Sequence, residues 1–194
     1  MDVEVGRIIR SSTTRFAVGC RVLRPQVLTF GSLVKAPAVG GEEIYGLVYE
    51  VRMDDDPFVR QLAAAGEGLD AEYVEDMRRN RQVPIEAGVL VVGHRSGGRV
   101  RQYLPPQPPS SLDVVYACAA QELVLFSERF DYFRLALENQ DLPADELLAA
   151  HLRQAAEARG ASGRDFLLDA GRELTSLLAL DLARLVSLLR RLQP

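Results

Sequence analysis

Along the first half of the chain, apolar and polar positions alternate with period two, the repeat of a strand that buries one face. In "RFAVGCRVL", Phe16, Val18, Cys20 and Val22 share a face. In "IYGLVYEVRM", Tyr45, Leu47, Tyr49, Val51 and Met53 do so. "GVLVVGH", from Gly88 to His94, is apolar on both faces, as a strand covered on both sides would be. "GRVRQYL" sets Val100, Gln102 and Leu104 against Arg99, Arg101 and Tyr103. The turn-forming stretches "SSTT", "VGGEE" and "RSGG" separate these runs. Short strands punctuated in this way predict a small barrel, because closure removes exposed strand edges.

Residues 54 to 82 break the alternation. Aspartates precede Pro57 in "DDDPFVRQLAAAGEG", and Asp70 precedes a segment with early acids and late arginines, "LDAEYVEDMRRN". Both are helix starts, with proline at the first helical position and acids near the positive end of the dipole. A helical insertion between two barrel strands is predicted. The tract "LPPQPPSS", 104 to 111, cannot continue a central strand and favours an extended path.

Beyond it the period turns helical. "ERFDYFRLALENQ" places Phe130, Phe133 and Leu137 on one face, and "ADELLAAHLRQAAEARG" ends at Gly160, a C-cap residue. From Arg164 one long helix is expected. It carries Leu178, Leu182, Leu185, Leu189 and Leu192 at alternating spacings of four and three, a seam for a neighbouring helix in this chain or another. The fold class expected is therefore α+β: a small closed antiparallel barrel over residues 1–115, with a helical insertion at 54–82, then a helical bundle over 116–194.

With 194 residues and a hydrophobic fraction of 47%, the chain can build a sizeable core. Net charge is −4, which supplies no global basic field for nucleic acid. Charge is uneven, however. The strand parts hold 10 basic and 7 acidic residues, the insertion 4 and 8, and the helical tail 9 and 12. Lys35 is the sole lysine. Cys20 and Cys118 are too few and too far apart for a metal spacing or a disulfide framework. "MDVEVGR" has no signal-peptide run, and Asp181 and Arg184 interrupt the most apolar tail segment. A cytoplasmic protein that does not enter membranes is expected.

"VGRIIRSSTTRFAV", "LTFGSLVKAP" and "IYGLVYEVR", followed by "VLVVGHRSGGRVRQYLPPQPPSS", resemble the HAS-barrel. That is the N-terminal domain of HerA-type DNA translocases and of F-type ATP synthase α and β subunits. The resemblance spans roughly residues 3 to 115 and rests on glycine and aliphatic positions. It implies a barrel that forms the crown of a ring and contacts neighbours. The motor domain of those families needs a glycine-rich loop ending in Lys-Ser or Lys-Thr to hold phosphates. Here the one lysine lies in "LVKAPA".

Candidate chemistry is sparse. In "GHRSGGRVR", His94, Arg95, Arg99 and Arg101 flank a glycine turn, a phosphate or nucleic-acid contact or simply a hairpin. Phe16, Tyr45, Tyr49 and Tyr103 are aromatics near arginines, base-stacking platforms or barrel core. His151, in "AAHLRQ", reads as a helix-surface residue. "DDD" at 54 to 56 reads as capping and "SSTT" as a turn, and no GxSxG serine motif occurs. No catalytic, cofactor or metal residue is assigned. The first functional expectation is a non-catalytic assembly or adaptor protein that docks on a ring ATPase or self-associates. A nucleic-acid accessory using the barrel arginines is the second, and an enzyme with an unrecognised site the third.

Overall fold

A computed structural model describes residues 3–20, 28–38, 40–53 and 85–192. Val22 and the insertion at 54–82, with Pro57, Asp70 and the aspartates before them, lie outside the described residues. The strands are β1 (Val3–Ser11), β2 (Arg15–Cys20), β3 (Leu33–Pro37), β4 (Glu43–Met53), β5 (Ile85–Ser96), β6 (Arg99–Arg101) and β7 (Val114–Ala117). Six of them form a closed antiparallel barrel in the order β1-β7-β3-β4-β5-β2, with β2 returning to β1. The short β6 stands outside this ring and, among the described residues, pairs only with β5. The α+β class and the barrel follow the sequence pattern.

Side chains fill the barrel. Ile8, Val18, Val34, Ile44, Val89 and Val115 are fully buried in one cluster. Phe16, Val18 and Cys20 share that interior, as their alternation requires. The face proposed for β4 holds only in part. Tyr45 and Leu47 point away from the interior, but Val51 packs back into it. The cause is a bulge: Val48 pairs with Val89 and Glu50 with Gly88, leaving Tyr49 as an extra residue. An extra residue flips the faces that follow.

The described helices are α1 (Ala120–Phe126), α2 (Phe133–Leu137), α3 (Ala144–Ala158), α4 (Gly163–Leu177) and α5 (Leu182–Arg191). Among the described residues no helix is long and apolar enough to cross a membrane. α3 is central and packs against the other four helices and β4. Its core is continuous with Leu33, Tyr45, Leu47, Leu90 and Val92 on the outer faces of β3, β4 and β5. β5 is therefore buried on both sides, which explains the unbroken apolar run in "GVLVVGH". Gly160 follows α3 with φ +55°, the left-handed conformation expected of that glycine.

Three helical expectations need correction. The helix in "ERFDYFRLALENQ" is confined to Phe133–Leu137; Phe130 precedes it, although its ring still meets Phe133 at 5.0 Å. The single long helix from Arg164 is two helices. α4 ends at Leu177, and the Asp181 carboxylate accepts the Arg184 N–H at 3.0 Å to begin α5. An aspartate that satisfies an orphan N–H at a new start outcompetes continuation of the helix. The seam is divided accordingly. Leu178, Leu185 and Leu192 are buried, Leu189 is half-buried, and Leu182 is exposed. Finally, His151 is wholly buried, not on the surface, because it lies on the face of α3 turned towards Gly31 and Tyr132, while Glu146, Arg153 and Glu157 form the exposed face.

Candidate functional site

The β5–β6 hairpin turns on Gly97 and Gly98, with φ +58° and +76°. Two successive positive φ values are what a two-residue turn between twisted strands requires, and glycine meets that need without strain. The register pairs His94 with Arg101, Arg95 with Val100 and Ser96 with Arg99. Residues opposite each other share a face, so His94, Arg99 and Arg101 lie on one side and Arg95 on the other. The four candidate side chains do not converge.

Each has its own surroundings. His94 is buried, and its Nδ1 lies 3.2 Å from the Tyr103 carbonyl. A carbonyl only accepts, so Nδ1 carries the proton. The His94 ring also meets Tyr103 edge-on at 5.2 Å. Arg95 pairs with Glu43 at 3.1 Å and lies over the Tyr45 ring. Glu43 approaches Lys35, which pairs with Glu122 at 2.6 Å, and Glu122 accepts the Ala119 N–H at the start of α1. This chain of charges ties β3, β4 and β5 to α1. Arg101 donates to the Tyr103 hydroxyl at 3.1 Å, and Arg99 is exposed, with no ion-pair partner among the described residues.

Beside β6 runs an open groove of about 720 Å³. Gly98 to Tyr103 form one wall; Leu125, Phe126, Glu128, Arg129 and Asp131 form the other. Gln102 joins the two. Its Nε2 donates to the carbonyls of Phe126 at 2.5 Å and Arg129 at 3.0 Å. Arg129 pairs with Asp131 at 2.7 Å, and Tyr103 and Leu125 are exposed apolar surface. Sequence reasoning placed Gln102 on an apolar face but did not read it as a bridge. A glutamine at a core position was the available signal. Leu125 and Arg129 carried none, because they reach the groove only through tertiary packing.

The proposed stacking aromatics fare differently. Phe16 fills the barrel and Tyr45 lies under the helices, so neither faces a ligand. Tyr49 is half-buried, and Tyr103 is 54% exposed on the groove wall.

The strongly shifted ionisable groups lie elsewhere, where the helices meet the barrel. Burial pushes the His151 imidazole down to about 4, opposed by its bond to the Gly31 carbonyl at 3.2 Å. That bond fixes the proton on Nδ1, and Nε2 has no hydrogen-bond partner among the described residues. Burial raises the Tyr132 and Tyr45 hydroxyls far above their ordinary value, and neither hydroxyl has a hydrogen-bond partner among the described residues. The rings of Tyr45, Phe126, Tyr132 and His151 form a contiguous series at 5.2 to 5.5 Å. These groups are sealed in the core. Among the described residues no group of three or more His, Cys, Asp or Glu side chains is placed to hold a metal ion. No protein-family model matches the chain, and no curated protein matches it.

Proposed function

We propose that this protein is a non-catalytic assembly module that engages another protein chain through the groove beside β6. One observation carries the reading: an open groove of about 720 Å³ runs along the strand that stands outside the closed ring. The barrel interior is packed with its own side chains, which leaves the outer surface for recognition. The likeness of the strand series to the HAS-barrel makes a ring ATPase, or a second copy of this chain, the first partner to test. A cytoplasmic setting goes with this reading. Cys20 and Cys118 are not joined to each other by a disulfide.

A nucleic-acid accessory is the second reading, favoured by Arg99, Arg101 and the exposed Tyr103 on one wall. Glu128 and Asp131 on the opposite wall count against a polyanion. Sedimentation of the purified chain, alone and with a candidate ring ATPase, tests the first reading. It predicts a stoichiometric complex or a defined homo-oligomer. A monomer that binds only single-stranded DNA or RNA, with affinity falling steeply as salt rises, would replace it with the second.

A further inference from the structure

We propose that the groove receives an extended acidic segment of a partner chain, added to the sheet as a strand along β6. The inference rests on the assembly reading and specifies the chemistry of its partner. It begins with the backbone. In a hairpin closed by a two-residue turn, the pair flanking the turn exchanges both hydrogen bonds, and bonded and non-bonded pairs then alternate. Ser96 and Arg99 flank the turn, so Arg95 and Val100 are the non-bonded pair. The Val100 N–H and C=O therefore project away from β5, towards the side on which, among the described residues, β6 has no neighbouring strand. Unpaired edge groups of this kind are a template for strand addition.

The side chains then choose the sequence that binds. An added strand sets its residues opposite Arg99, Val100 and Arg101. Opposite charges stabilise directly facing pairs, and like charges oppose them. Acidic residues thus belong opposite Arg99 and Arg101, and an apolar residue opposite the half-buried Val100. The pattern is acidic–apolar–acidic. Tyr103 and Leu125 add apolar surface along the groove. Arg129 on the far wall is already paired with Asp131 and stands beside Glu128, so the choice of acidic residues rests on Arg99 and Arg101 alone. A short segment with its acids against those two suits the groove better than a uniform polyanion. The same arginines repel a second copy of β6, which disfavours pairing of this edge with itself.

The test uses the intact protein and a capped peptide of alternating glutamate and valine, with alternating lysine and valine as the control. Amide resonances follow the titration. The proposal predicts a saturable shift centred on the Val100 amide, with the lysine peptide at least about tenfold weaker. Val100→Pro removes the outward N–H without touching a β5 bond and should abolish binding. Should that variant fold poorly, Arg99→Glu with Arg101→Glu changes only exposed side chains and should invert the preference. Equal binding of both peptides, no shift at Val100, or unchanged preference in the double variant would overturn the proposal. A stoichiometric partner complex untouched by these substitutions would sink this inference alone, whereas the absence of any complex or oligomer would sink the assembly reading beneath it.

Discussion

Gly31 and His151 meet where α3 lies on the barrel. Gly31 has φ +86°, its N–H donates to the Val48 carbonyl, and its own carbonyl accepts from His151. A Cβ there would stand 2.7 Å from the Ala150 Cβ and 2.8 Å from the His151 nitrogen. Gly31→Ala thus combines an unfavourable backbone conformation with a clash against helix backbone. The expected loss exceeds about 1 kcal/mol, read as a lower denaturant midpoint. His151 yields a pH-dependent prediction. Its pKa falls from 6.5 to about 4 on folding, so between those values the unfolded chain binds the extra proton. Stability from this group is complete above pH 6.5, declines as pH falls through the window, and is lost below about 4. The loss is on the order of 3 kcal/mol. Denaturant melts between pH 7 and 4 should show the decline in the native protein and a shallower one in His151→Phe. Nothing in "AAHLRQ" marks this histidine as buried, because the groups that enclose it, among them Gly31 and Tyr132, are remote in sequence.

At the scale of elements, the two C-terminal helices show what periodicity conveys and where it stops. The spacing of Leu178, Leu185 and Leu192 correctly marks an inward-facing stripe. The same spacing misplaces Leu182, because the helix restarts at Asp181. The capping residue was visible in "LALDLARL", but a 3.6-residue period does not reveal whether a leucine run is one helix or two. Leu185→Ala should therefore cost about 2–5 kcal/mol by opening a cavity, while Leu182→Ala should lie within about 0.5 kcal/mol of the parent. Thermal melts of the two variants, side by side, check the division. The barrel strands were legible because alternation and turn glycines agree. The bulge at Tyr49 was not, since a single extra residue leaves local composition unchanged and appears only in the pairing with β5.

For the whole molecule, the closed sheet sets the two ends of segment 54–84 side by side. Met53 and Ile85 are direct partners across β4 and β5, so the intervening segment leaves and re-enters the barrel at one place. Replacing residues 54–84 with a short Asn-Gly turn should preserve a single cooperative unfolding transition, since loop-closure entropy varies slowly with length. Loss of the transition would show that the barrel depends on that segment. The helices, by contrast, share a core with β3, β4 and β5 and are expected to melt together with the barrel. The groove depends on that union, because β6 supplies one wall and the chain from Leu125 to Asp131 the other. Only its β6 side was legible, as the "GHRSGGRVR" hairpin.

Docking of a protein segment at the β6 edge is tested most directly by hydrogen exchange at one amide, that of Val100. In the free protein this outward N–H should exchange readily, and saturation with the glutamate–valine peptide should slow it at least about tenfold, as pairing in a ladder does. Unchanged exchange at Val100 under saturating peptide would contradict the account.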